Sequence, residues 1–265
     1  MLQQMIQFFT SAFHVPDLTF PMLLIAIGLA LIFGAFWLVF YRPVLFKRPW
    51  LWVVAAGSAI LTWTCIAFIQ IPLQDWAGQA MLHFWSQQQI LKWLLLAGIP
   101  TVLISGLVQE GAKMVPVVLY WWRNRRELSP AFGLIAGAVS GAGFGIFEAI
   151  WVHNAIFASG WNLHSVTVGG FMALLGFWER FFTIAFHIAV SALAGYGLSK
   201  RLGWQFYLIA SALHGCANYS VVLLQGGHLT SLQVEIYIAV LSVIVTAIAL
   251  WLRWRKYQTT PNHQS

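Results

Sequence analysis

Seven long apolar stretches run through this chain and constrain its fold more than any other feature. A helix of ~20 residues, rising 1.5 Å per residue, crosses the hydrocarbon of a bilayer. Stretches of that length read at 20–41, 50–72, 92–122, 131–158, 171–199, 204–225 and 232–252. With no water in the hydrocarbon, backbone groups must be satisfied within each segment, so helices are the expected elements. Composition agrees: 60% of the 265 residues are hydrophobic and only 8% are charged. The expectation is an all-α fold, a polytopic bundle of about seven transmembrane helices. Connections are short, with no soluble domain, low-complexity segment or fixed-period repeat. Residues 1–265 therefore read as a single integral membrane domain, with its motif-bearing core at about 92–225.

The net charge of +7 invites a nucleic-acid reading, but the positions of the 14 basic residues argue against one. Arg42, Lys47 and Arg48 follow span one, and Arg123, Arg125 and Arg126 follow span three. Lys200 and Arg201 follow span five, and Arg253, Arg255 and Lys256 follow span seven. Eleven of the 14 thus fall on one side, which by the positive-inside rule is cytoplasmic. The N-terminus is expected outside, the C-terminus in the cytoplasm, and the bilayer of a bacterial cell membrane is the expected surroundings.

The N-terminal 20 residues have no basic n-region and no small-residue cleavage site, so span one is expected to stay as an anchor. Cys65 and Cys216 fall inside spans, which predicts packing roles rather than a disulfide. Residues 73–91 carry Leu73, Trp76, Ala77, Ala80, Met81 and Phe84 at helical spacing, the pattern of a helix lying in the interface. Trp50, Trp52, Trp121 and Trp122 read as interfacial anchors.

A charge near the bilayer centre costs ~2.5–3.5 kcal/mol or more, so each one there needs a partner or a task. Glu110 and Lys113 in span three, Glu148 in span four, Glu179, Arg180 and His187 in span five, and His214 with Asn218 in span six are such residues. Counting ~1.5 Å per residue from the cytoplasmic ends puts Glu110, Glu148, His187 and His214 ~15–27 Å deep, in one broad layer. Glu110 and Lys113 share a helix face, as do His214 and Asn218, and Phe144 and Glu148. Glu179 and Arg180 are adjacent and are expected to pair with other helices rather than with each other. Gly133, Gly137, Gly141 and Gly145 recur at every fourth residue, a smooth ridge leading toward Glu148. His14, His83, His153, His164, His228 and His263 lie at or beyond span ends and receive no role.

Three short patterns follow in order: QEGAK at 109–113, FGIFE at 144–148 and HGCAN at 214–218. They resemble the EExxK/R, FxxxE and HxxxD/N motifs of the glutamate-dependent intramembrane proteases, the superfamily of the PrsW, CPBP and YhfC families. The stretch FWERFFTIAFHIAVSAL looks most like YhfC. Two positions depart from the pattern: Gln109 stands where the first Glu is usual, and Asn218 where some members have Asp.

The resemblance implies a peptidase acting on membrane-spanning or hydrophobic peptides. Glu110 is then the candidate base, with Glu148 close by, and the pair could exchange acid and base roles. His187, or His214 with Asn218, would donate hydrogen bonds to the oxyanion. Gln109, Lys113, Phe144, Glu179 and Arg180 would support the site. Glu110, Glu148, His187 and His214 would also suit Zn²⁺, and the sequence leaves a glutamic or metal-dependent mechanism open. Intramembrane Glu, His and Arg also build ion sites in transporters, and a non-catalytic scaffold is the third reading.

Overall fold

A computed structural model describes residues 1–124 and 127–255. Arg125, Arg126, Lys256 and His263 lie outside the described residues. Among the described residues the elements are helical, without strands. In chain order the α-helices are α1 (Leu2–Thr10), α2 (Phe20–Leu38), α3 (Trp50–Cys65), α4 (Ile71–Phe84), α5 (Gln87–Lys92) and α6 (Leu94–Arg123). There follow α7 (Pro130–Ala158), α8 (Leu163–Gly169), α9 (Leu175–Ser199), α10 (Gly203–Gln225) and α11 (Ser231–Trp254).

Among the described residues seven helical stretches are long and apolar enough to cross a membrane, and each overlaps one of the seven read from the sequence. Their outer faces explain why the chain is a multi-pass membrane protein. Leu24, Ile32, Phe36, Val53, Ile60 and Ile244 stay exposed, in a surface too apolar for water.

The second stretch differs from its expected form. Instead of ending near residue 72 and giving way to a separate interfacial helix, it runs unbroken from Trp50 to Phe84. One π-helical turn, Ile66–Gln70, joins α3 to α4. Pro72 follows on that turn, as the second residue of α4. The chain then restarts at α5 with a capping box, Ser86 and Gln89 satisfying each other's backbone N–H groups.

The centre of the bundle is α7 against α9, and the glycine ridge is what lets them close. A Cβ at Gly133, Gly137 or Gly141 would strike the carbonyl oxygen of Gly195, Ser191 or His187 respectively. Backbone therefore meets backbone along three turns. A Cβ on the last glycine, Gly145, would lie 3.3 Å from Ile184 Cα and 3.4 Å from the His187 ring, so the ridge ends under that ring. A second close approach joins α6 to α10: a Cβ on Gly106 would meet Ser211 O and Gly215 N. One turn further along these helices stand Glu110 and His214.

Cys65 and Cys216 are free thiols, as expected, but Cys216 is exposed rather than packed in the core. His153 also departs from its reading. It lies within α7, fully buried, with Nδ1 3.3 Å from Ala26 O and its ring edge-on to Phe33, a packing residue of the interior rather than of a span end.

Candidate functional site

Seven side chains from α6, α7, α9 and α10 meet in one chain of hydrogen bonds. His214 Nδ1 lies 2.7 Å from Glu110 Oε1, and Lys113 Nζ lies 2.5 Å from the same oxygen. The Lys113 ammonium also reaches His187 Nδ1 at 3.1 Å, and His187 Nε2 stands 3.1 Å from Glu148 Oε2. Arg180 then bonds Glu148 Oε2 at 2.8 Å through one nitrogen and both oxygens of Glu179 through two others. Two expectations are met at once: the four ionisable residues share a layer, and the glycine seam carries Glu148 to the others.

The order of donors follows from chemistry. An ammonium has no lone pair, so His187 Nδ1 must accept from Lys113, which leaves the proton on Nε2 to be donated to Glu148. His187 is thus neutral and has no N–H left over for a developing oxyanion. At His214 the acceptor is a carboxylate already held by an ammonium, so Nδ1 carries the hydrogen. The remaining nitrogen, Nε2, takes no part in that bond.

The expected sharing of one site by two carboxylates takes a different form. Glu110 and Glu148 are separated by Lys113 and His187, and each has its own cation. Their exposure differs as well: the side chain of Glu110 is 0% accessible and that of Glu148 19%. A cavity of about 200 Å³ is lined by Gln109, Glu148, Arg180, His187, His214 and Asn218 among others, with Glu110 behind His214 rather than on the wall. A larger groove, about 750 Å³, opens between α6, α9 and α10 toward Trp121 and Arg201; it is apolar and includes none of the residues singled out for chemistry.

The supporting residues take definite places. Phe144 is buried edge-on to the His187 ring, 5.2 Å between centroids, with the Lys113 ammonium 5.9 Å from its own ring. Asn218 donates through Nδ2 to Ser105 Oγ at 2.7 Å, tying α10 to α6 and committing part of its donor capacity. Glu179 and Arg180 correct the expectation for neighbours. Their side chains do pair, because a long guanidinium can fold back along the helix and still reach Glu148.

Gln109 has an unanticipated partner. Its Nε2 donates to Gln70 Oε1 at 3.0 Å, Gln70 Nε2 donates to Gln74 Oε1 at 3.4 Å, and Gln74 Nε2 donates to Thr101 O at 2.9 Å. Gln70 sits on the π-helical turn of the second span, a feature often found at functional sites. The signal was present in the sequence as two glutamines spaced i, i+4 around Pro72. Sequence reading also passed over Ser140, whose hydroxyl donates to Lys113 O, and Glu235. Glu235 lies on α11 within electrostatic reach of Glu179 and Arg180, one turn before Ile238 on the cavity wall. An acidic residue inside the seventh span was the clue.

Glu110, His187 and His214 offer donor atoms within 4.8 Å of one another, the residue types zinc takes. As arranged, however, they do not fit an ion. Two ligands on a tetrahedral zinc at ~2.0–2.1 Å stand about 3.3 Å apart, whereas Glu110 Oε1 and His214 Nδ1 are in hydrogen-bond contact at 2.7 Å. Lys113 meanwhile bonds two of the three donors.

Among protein families, the model described as PrsW family intramembrane metalloprotease matches residues 47–249. Neither a curated protein nor a solved structure matches the chain significantly.

Proposed function

The chain belongs to the PrsW family of intramembrane metalloproteases, since the match spans most of its length, and from that membership we propose that its buried polar site hydrolyses peptide bonds of membrane-embedded or hydrophobic substrates. The observation that carries the reading is the cavity where His214, Glu148 and Asn218 face a common space inside an apolar bundle. Its volume of about 200 Å³ suits a peptide group and a few waters, each water taking ~30 Å³. An intact helix does not fit, so the scissile segment enters unwound.

The reaction needs a base for water, an acid for the leaving amine and donors for the oxyanion. In this proposal Glu110 acts through His214: it holds the ring by Nδ1–H and leaves Nε2 as the base facing the cavity. Water gives its proton to Nε2 as its oxygen bonds the carbonyl carbon. The negative oxygen of the tetrahedral intermediate is met by the second N–H of Asn218 and by Arg180, which has two N–H groups beyond its three carboxylate bonds. The imidazolium then returns the proton to the amine nitrogen as the C–N bond breaks, so one water is consumed and no charge is left over. Glu148 and His187 hold the charge balance on the opposite wall. The Glu110–His214 contact supports this assignment, with Glu110 as a positioning residue and His214 as the catalytic one.

The pattern of basic residues supports a cell-membrane protein with its N-terminus outside, and an odd number of crossings puts the two ends on opposite faces. We read the Glu179, Arg180 and His187 pattern as a YhfC-like variation within the superfamily. The test is mass spectrometry of membrane peptides from cells making equal amounts of wild type or Glu110→Gln. New peptide ends confined to wild type are the expected result; identical peptide ends with both proteins folded would refute proteolysis.

A further inference from the structure

The family description carries the word metalloprotease, yet the space among the three donors that zinc would use already holds a positive charge. Lys113 is fully buried, and its ammonium is bonded to Glu110 Oε1 and His187 Nδ1. Two contacts from α7 and its own place on α6 hold it there. Its backbone carbonyl is bonded by Ser140 from α7, Phe144 lies beside it, and its position three residues after Glu110 puts both on one face of α6. A buried carboxylate needs a compensating charge, and here the chain supplies it.

We infer that Lys113 is the resident cation of this site: it stands where a divalent ion would be ligated by Glu110, His187 and His214, and it excludes such an ion. A metal and this ammonium would compete for the same carboxylate oxygen and the same imidazole lone pair. Two positive charges would also have to share a buried pocket of low dielectric, where their repulsion is weakly screened. Neutralising Lys113 removes the competitor; zinc then has only the Nδ1 proton of His214 to displace, and Glu110 Oε2, which has no hydrogen-bond partner, is open to it as well. This inference does not depend on peptide hydrolysis, because it is read from metal content without a substrate.

The experiment uses full-length protein in lipid nanodiscs, equilibrated with zinc chloride at a few micromolar, desalted, and measured for zinc per chain. Wild type is expected to hold less than about one zinc per ten chains. Lys113→Met is expected to hold about one per chain, lost again on adding His214→Ala, and to give a tetrahedral Co²⁺ spectrum when cobalt replaces zinc. Added zinc should raise the melting temperature of Lys113→Met but not of wild type. Lys113→Gln, which keeps a donor for His187, is measured in parallel in case the methionine variant does not fold. One zinc per wild-type chain that disappears in His214→Ala overturns the inference. So does a folded neutral variant that takes up no more zinc than wild type. Should neither neutral variant fold, the wild-type measurement decides: zinc-free protein upholds the inference and a His214-dependent zinc overturns it.

Discussion

Lys113 of α6 and His187 of α9 meet at 3.1 Å, and this one contact joins two ion clusters that would otherwise be separate. On one side stand Glu110 and His214; on the other, Glu148, Arg180 and Glu179. Four transmembrane helices are thereby linked through polar atoms in a protein whose other contacts are mostly apolar.

The carboxylate–imidazole pair is the first target. Glu110→Gln and His214→Ala should each lower cleavage by roughly 10²–10⁴, the usual worth of a positioned acid–base group. Added imidazole should restore part of the activity of His214→Ala, where it can enter the vacated space. It should restore none to Glu110→Gln, where His214 is present but held wrongly. Cleavage of a peptide identified in the wild-type comparison measures both, and equal rescue of the two variants would remove Glu110 from its orienting role.

Charge pairing gives a stability prediction. Breaking a buried pair by deleting one partner costs ~3–5 kcal/mol because the other is left unpaired. In metal-free buffer Lys113→Met should therefore unfold well below wild type. The double variant with Glu110→Gln should regain a large part of the loss, since neither charge then remains. Thermal unfolding in detergent yields the coupling directly, and additive losses would contradict a buried pair.

The glycine ridge should tolerate nothing larger. Gly137→Val would drive a side chain into Ser191 O, and Gly141→Val into His187 O, prising α7 from α9. Losses of several kcal/mol are expected, at the top of the range for overpacking. Gly28→Ala, with nothing within 4 Å of the added methyl, should be neutral or stabilising by up to ~1 kcal/mol through helix propensity. Comparing the melting temperatures of the three checks the seam.

Gln70 and Gln109 should prove coupled. Gln70→Leu leaves the Gln109 amide without its acceptor and should cost ~1–3 kcal/mol. Gln109→Glu restores the family's usual residue but turns the donor facing Gln70 into an acceptor, so Gln70 must rotate its amide and give up Gln74. A double-mutant cycle on the two positions should show non-additivity above ~0.5 kcal/mol.

Arg180 bridges two carboxylates with a planar group, and a lysine cannot reproduce that fork. Arg180→Lys should therefore fail to restore the wild-type melting temperature, and Arg180→Gln should fall further. A lysine variant as stable as wild type would show that the bidentate geometry is immaterial.

The legible part of this protein lay in quantities that depend on residue type and spacing alone. Seven apolar stretches set seven spans, because hydrocarbon admits few other backbone solutions. Residue counting along helices of fixed rise put Glu110, Glu148, His187 and His214 in one layer, and the fourfold glycine spacing marked the α7 ridge. What spacing could not supply was azimuth and partner. That Glu110 is sealed behind His214, that Lys113 and His187 stand between the two carboxylates, and that Arg180 folds back on Glu179 all depend on how four helices rotate about their axes. Rotation is decided by side-chain packing between helices distant in sequence, such as Gly106 against Ser211. The glutamine relay was hidden for a related reason: a π-helical turn shifts the face of α4 relative to α3, and periodicity read with one constant angle passes over it. The sequence by itself determined a seven-span helical bundle and the inventory of its buried charges. Only the tertiary structure decided which charge neutralises which, since in a medium without water that choice belongs to the nearest partner in space.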